Sequence, residues 1–273
     1  MTEKKIIWIT GASSGIGKAL AIKFAEKGWT VAASARRENL LEDLNKFNPN
    51  IYSFPLDVTE IENCKLVANK IIEKFGGIDI CINNASAINL TGTLQTDMKR
   101  YDLMHNINGR GTFLTSKLCL PHLLNASNPH ILNISPPLDM DKKWFSGSVA
   151  YTIAKFNMSM CVLGMAEEFL GKVAVNALWP RTAIKTAAVA NVLGGGEIYQ
   201  KSRDPQIMAD AAYIILNKEK DKFTGNFVID DTILAEHGET DFRKYCDYPF
   251  SELTPDFFVP DDVYPVPQVV KDS

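Results

Sequence analysis

Lys5-Ile6-Ile7-Trp8-Ile9-Thr10-Gly11-Ala12-Ser13-Ser14-Gly15-Ile16-Gly17 decides how the rest of this chain is read. Ile6 to Thr10 is a short apolar run of strand character, and a glycine-rich turn cuts it off. A helical pattern follows at once, with Ile16, Leu20 and Phe24 spaced around the small Ala19, Ala21 and Ala25, and it closes at Gly28. Strand, glycine turn and helix together are the setting of a dinucleotide fingerprint. Glycines let backbone N–H groups approach a pyrophosphate, and the helix N-terminus adds partial positive charge. Gly11, Ser13, Ser14, Gly15, Ile16 and Gly17 are therefore candidate contacts, although the spacing is G-x-x-x-G-x-G and a turn without a ligand is the plainer alternative.

Outward from this stretch the chain alternates strand and helix, the pattern of an α/β domain with a parallel sheet covered on both faces. The predicted strands are Ile6–Thr10, Thr30–Ser34, Ile51–Pro55, Ile78–Asn83, His130–Ser135, Val173–Leu178 and Asn226–Ile229. The clearest predicted helices are Ile61–Phe75, Tyr101–Leu123, Val149–Phe169 and Pro205–Asn217. The fold expected is a single doubly wound Rossmann domain of about seven strands. With 273 residues, 46% hydrophobic and 22% charged, the chain is long and apolar enough to bury a full core. A net charge of −3 gives no reason to expect nucleic acid or an anionic membrane as a partner. The five cysteines are scattered and mostly lie in apolar runs, which suits buried reduced thiols and a cytoplasmic location. No metal site, signal peptide or membrane span is expected, because ligand spacing and long apolar runs are both missing from the sequence.

The second informative feature is Ala150-Tyr151-Thr152-Ile153-Ala154-Lys155. On a helix, Tyr151 and Lys155 stand one turn apart on one face. An ammonium about 4 Å from a phenol favours the phenolate by a few kcal/mol at an effective dielectric of ~20. The tyrosine is thereby expected to fall from ~10 toward neutrality and to serve as a general acid/base. Alone, the pair is a weak signal, and an exposed aromatic beside a solvated lysine is the plainer reading.

Taken together, Thr10-Gly11-x-x-x-Gly15-x-Gly17, Asn83-Asn84-Ala85 and Tyr151-x-x-x-Lys155 resemble the short-chain dehydrogenase/reductase family, over about Lys5 to Asp230. Asp79 to Ser86, His130 to Pro137, Met160 to Phe169, Val175 to Pro180 and Phe223 to Asp230 are similar to the hydroxysteroid dehydrogenase-like protein 2 group. Animal members of that group carry a sterol-carrier domain after the reductase domain, and this chain is expected to lack one. The resemblance implies hydride transfer between nicotinamide and a carbonyl or alcohol. Tyr151 would be the proton donor, and Lys155 would lower its pKa and hold the nicotinamide ribose. Asn108 would hold a water joining Lys155 to solvent; a buried amide bonding backbone is the alternative.

Cofactor choice is read at the end of the second strand. NAD-binding versions place a carboxylate there for the adenosine ribose, whereas this chain has Ser34-Ala35-Arg36-Arg37. Arg36 and Arg37 offer guanidinium groups for a 2′-phosphate, so NADP is expected over NAD. Two surface arginines opening a polar helix are the alternative. By resemblance Asp57-Val58 would contact adenine and Asn84-Ala85 would pass beneath the ribose. Pro180, Thr182 and Ile184 would hold the nicotinamide end, with Arg181 in place of the family's glycine.

The family serine that hydrogen-bonds the substrate carbonyl aligns with Pro136, which has no side-chain donor. Ser135 can substitute only if the backbone twists at the prolines, because adjacent strand residues face opposite sides; Ser146 and Ser148 are further candidates. The segment Thr182 to Gly196 suits a mobile lid over a lipophilic small-molecule substrate. Trp144 and Phe145 would line an apolar pocket or anchor a loop. An alternative function is an NADP-binding, redox-responsive scaffold with little turnover. Family analogy through the two long helices implies a homodimer or homotetramer.

The composition changes near Leu234, giving a boundary between a domain at 1–234 and an extension at 235–273. Nine acids stand against three bases in the extension, together with seven aromatic residues. That is too aromatic for a simple disordered tail, and docking on its own domain or on a neighbouring subunit is expected, a loosely ordered arm being the alternative.

Overall fold

The computed structural model describes residues 4–192 and 195–273. Seven parallel strands form one sheet in the order β3-β2-β1-β4-β5-β6-β7. They are β1 Ile6–Thr10, β2 Thr30–Ala35, β3 Ile51–Pro55, β4 Ile80–Asn83, β5 His130–Ile134, β6 Ala174–Trp179 and β7 Phe227–Ile229. The order reverses direction between β1 and β4, so a crevice opens at the carboxyl ends of those two strands.

The helices are α1 Gly15–Glu26, α2 Glu38–Asn45, α3 Ile61–Phe75, α4 Met98–His105, α5 Thr112–Leu123, α6 Val149–Glu168, α7 Ala187–Val192, α8 Gly196–Gln200, α9 Gln206–Ile215, α10 Asp230–Glu236 and α11 Gln268–Lys271. Alternation along β1 shows how the two faces are filled. Ile7 and Ile9 join a core with Leu20 and Phe24 of α1 and Ile207 and Met208 of α9. Trp8 faces the other way, into a core with Val67 and Ile71 of α3 and Val162 of α6. Burial on both faces is why the central strands read as continuous apolar runs.

The predicted helix Tyr101–Leu123 differs from the structure in two respects. It begins earlier, at Met98, where the Asp97 side chain caps the first turn. It is also interrupted by a π-helical turn, Asn106–Gly111, between α4 and α5. The crowding there is visible: a methyl on Gly109 would collide with the Asn157 side chain of α6. Single π turns inside helices commonly sit at functional sites, and Asn108 lies in this one. Helix α6 is long and apolar enough to cross a membrane, but 61% of its apolar window is buried inside the fold.

Beyond α10 the chain crosses the carboxyl end of the sheet. Phe242, Tyr245, Phe258 and Val270 are buried against the same chain. Residues 254–258 run antiparallel to the segment after β6, with Thr182 bridged to Pro255. The Ala183 N–H donates to the Thr254 carbonyl at 2.8 Å, and the Asp256 N–H donates to the Arg181 carbonyl at 2.9 Å.

Candidate active site

A cavity of about 550 Å³ runs along the carboxyl ends of the strands, from the turn after β1 to α6 and the 254–258 segment. At its first end Gly11 and Gly15 have φ values of +67° and +55°, which side chains rarely adopt. Gly17 has another role: a methyl there would collide with the Gly11 carbonyl oxygen and the Asn84 amide. The turn is fixed from behind by β4. Asn84 Nδ2 donates to the carbonyls of Thr10 and Gly11, both at 3.0 Å. Thr10 Oγ1 accepts from the backbone N–H groups of Asn84 and Ala85 at 3.2 and 3.1 Å.

Ser14 precedes α1 without capping it through its side chain. Its hydroxyl instead accepts from Arg37 Nη2 at 2.7 Å, and Ser13 Oγ accepts from the same nitrogen at 3.0 Å. The uncapped first turn, with Gly15 and Ile16, faces the cavity. Arg36 and Arg37 are exposed at its rim, and Asp57 and Val58 form the wall beyond β3. Asp57 Oδ1 is held by the Thr59 N–H and hydroxyl at 2.9 and 2.8 Å.

Substituting Gly17→Ala is expected to destabilise the fold by about 1–3 kcal/mol through overpacking. The same change should weaken dinucleotide binding about tenfold or more, because the first turn of α1 must shift. Thermal unfolding and an NADPH fluorescence titration check both, and an unaltered titration would refute the assignment.

Tyr151 and Lys155 come together at the other end, 6% and 2% exposed. Lys155 Nζ donates to the Ile134 carbonyl at 2.8 Å and lies 4.8 Å from the Trp179 ring centroid. Burial lowers Lys155 to about 7, with the nearby Asp256 acting in the opposite direction. The Tyr151 phenol is pushed up, first by burial and then by the Asp256 carboxylate. This corrects the expectation that Lys155 brings the phenol down. Desolvation dominates, and the ammonium is turned toward a backbone carbonyl.

Three further expected site residues stand elsewhere. Asn108 does not line the cavity: its Oδ1 accepts from the Ala87 N–H at 2.8 Å and its Nδ2 donates to the Ala87 carbonyl at 3.0 Å. It clamps the loop after β4 instead. Ser135 is fully buried, away from the cavity, and no protein partner bonds its Oγ. Ser135 lies just past the end of β5, where its N–H donates to the Asn133 carbonyl at 3.0 Å in a tight turn, while Ile134 lines the cavity. Thr182 is covered by Pro255 and does not reach the cavity, whereas Pro180 and Ile184 do. Ser146 and Ser148 also lie outside it, and Trp144 anchors its loop through a 2.7 Å bond from Nε1 to Asp139. Of the expected lid, Thr186 to Val189 line the cavity, while Leu193 and Gly194 lie outside the described residues.

Asp256 and Phe257, which sequence reasoning missed, complete the wall opposite Lys155. The acidic, aromatic composition of the extension was the available signal, but it carried no position.

Arg181, the departure from the family's glycine, is buried beneath this wall. Its Nε donates to both Asp231 oxygens, at 2.8 and 3.0 Å, Nη1 to the Tyr264 carbonyl at 2.9 Å and Nη2 to Thr232 Oγ1 at 2.8 Å. Arg203 Nη1 reaches Asp231 from the other side at 2.9 Å.

Comparison with known proteins matches residues 5–193 to the short chain dehydrogenase family model. The hydroxysteroid dehydrogenase-like protein 2 of Danio rerio is 53% identical over 93% of this chain, which spans 63% of that protein's length. A short chain dehydrogenase from Mycobacterium thermoresistibile, 39% identical, superposes with a TM-score of 0.87 over 98% of this chain and 99% of that one. ElxO, solved with NADP bound, is 28% identical with a TM-score of 0.72, covering 83% and 97% of the two chains.

Proposed function

This chain belongs to the short chain dehydrogenase family, and on that premise we propose that it is an NADP-dependent oxidoreductase interconverting a carbonyl and an alcohol on a lipophilic small molecule. The observation that carries this reading is one continuous cavity, with a glycine cradle and two arginines at one end and Tyr151 with Lys155 at the other. The residues present fit a dinucleotide: the close approach at Gly11 and Gly17 leaves backbone N–H groups of α1 bare toward the cavity. Gly11 to Gly17 would hold the pyrophosphate, Asp57, Val58, Asn84 and Ala85 the adenosine, and Pro180, Ile184 and Lys155 the nicotinamide half. A bound nicotinamide supplies or accepts the hydride. Tyr151 gives the proton to the substrate oxygen or takes it back. Ile88, Trp179, Val189 and Phe257 in the wall suit an apolar substrate body.

Arg36 and Arg37 stand where a ribose-binding carboxylate would repel a 2′-phosphate, and Ala35 leaves that position uncharged. NADPH is therefore expected to bind roughly 10- to 100-fold more tightly than NADH, the worth of one or two charge-assisted hydrogen bonds. Arg36→Ala should remove most of that preference. Titrating parent and variant with both dinucleotides tests it, and equal affinities in the parent would overturn the choice of NADP.

A second reading is an NADP-responsive scaffold with little turnover. The burial of Ser135 away from the cavity favours it. Tight NADPH binding without reduction across 2-butanone, 2-decanone and a 3-ketosteroid would support that reading over the enzyme. For assembly we propose pairing through α5 and α6, whose Phe113, Ile153, Met160 and Leu163 are exposed apolar residues.

A further inference from the structure

The segment from Thr254 to Phe258 is built into the cavity wall. Two backbone hydrogen bonds join it to residues 181–183, and Trp179 Nε1 donates to the Phe257 carbonyl at 2.8 Å. Trp179 is also the ring that lies 4.8 Å from the Lys155 ammonium, so the segment and the lysine share one indole. Phe258 has φ +69°, a left-handed conformation that is strained for a bulky residue. Buried ring contacts hold it there: its centroid lies 5.4 Å from Phe156, 5.8 Å from Trp144, 6.1 Å from Trp179 and 6.2 Å from Tyr151. Strain held in place beside a cavity points to a function for the residues it positions. The segment presents Asp256 and Phe257 to the cavity that Tyr151 and Lys155 also line, and Asp256 is the segment's titratable side chain.

We propose that Asp256 is a catalytic residue of this site, holding the substrate oxygen by a hydrogen bond while Tyr151 exchanges a proton with it. The proposal rests on the reductase reading above. It would also supply the hydrogen bond to the substrate oxygen that Pro136, at the family serine's aligned position, has no side-chain donor to make. In reduction, the carbonyl carbon gains the hydride supplied by the dinucleotide. The oxygen gains the Tyr151 proton, and the phenolate is reprotonated from solvent. Asp256 keeps its own proton throughout and lends it as a hydrogen bond, as a carboxylic acid kept neutral in an apolar site can.

The surroundings suit that protonation state. Asp256 is half-buried in the wall, and desolvation there raises it to about 7, against the lowering influence of the Phe257 N–H and Lys155. The titratable groups facing it are Tyr151 and Lys155 of α6. Arg181, whose carbonyl accepts from the Asp256 N–H, commits its guanidinium to Asp231, Thr232 and Tyr264. The donor form is thus present below about pH 7 and is lost as pH rises through it.

Two variants, Asp256→Leu and Asp256→Asn, test the proposal on the full chain with NADPH and 2-decanone. Leucine, without a donor, is expected to lower kcat/KM about 100-fold. Asparagine, with an amide donor, should recover about tenfold of that loss and abolish the fall in rate above pH 7. A second readout needs no substrate. In ¹³Cε-lysine-labelled protein, Lys155 titrates near 7 and is assigned by its disappearance in Lys155→Met. Its titration should move to lower pH in Asp256→Asn, because the carboxylate that Asp256 becomes as pH rises through about 7, which favours the ammonium, is gone. A Leu variant with the parent's rate and pH profile, or a Lys155 titration that does not move, would overturn the proposal. Failure of NADPH to bind the parent would defeat the reductase reading instead, while the lysine titration would still report on Asp256.

Discussion

Replacing Tyr151 by phenylalanine is expected to lower kcat for carbonyl reduction by about 10²–10⁴-fold, with the Kd for NADPH changed no more than about twofold. The substitution removes one oxygen and leaves the ring, so the packing against Phe258 at 6.2 Å and the buried place on α6 are preserved. Burial holds the proton on the phenol, and Asp256 adds to this where it is ionised, above about pH 7. Stopped-flow measurement of NADPH oxidation, beside equilibrium titration of the dinucleotide, separates chemistry from binding. Turnover in the Phe variant equal to the parent's would remove Tyr151 from the reaction.

Arg181→Ala should have the largest effect on stability. Its guanidinium is 4% exposed and its partner Asp231 is fully buried, so the change leaves a buried carboxylate with Arg203 as its remaining ion-pair partner among the described residues. Breaking one side of a buried pair typically costs about 3–5 kcal/mol. For a chain of this size that corresponds to a fall in Tm of about 10 °C. The same guanidinium holds the Tyr264 carbonyl and Thr232 Oγ1, so the cavity wall around Asp256 should loosen with it. Arg181→Lys keeps the charge but not the fork, and an intermediate loss is expected. Differential scanning calorimetry provides the measurement; a Tm within a degree of the parent's would show that the ion-pair network is not what fastens this wall.

Much of the sheet was legible because each parallel strand is an apolar run bounded by turn residues. Ile6–Thr10 and Ile51–Pro55 coincide with their predicted limits, β6 is displaced by one residue at each end, and the remaining strands differ by one or two residues at one end. The π turn was not legible, because nothing in the local spacing shows that Gly109 there packs closely against Asn157 of another helix. The glycine cradle could be found because backbone sterics impose it on the sequence directly. The proton chemistry at Tyr151 could not: residue spacing placed the lysine one turn away, but desolvation and the direction of its ammonium are tertiary properties. Asp256 was hidden for the same reason, since nothing local ties residue 256 to residues 151 and 155.

The long sequence separation inside the cavity bears on how the protein is made. During synthesis, β1, α1 and β4 can pair once roughly the first third of the chain has left the ribosome, because domains form in order of emergence. The reacting end cannot close until residue 258 follows. Nascent chains should therefore acquire affinity for the dinucleotide well before they acquire turnover.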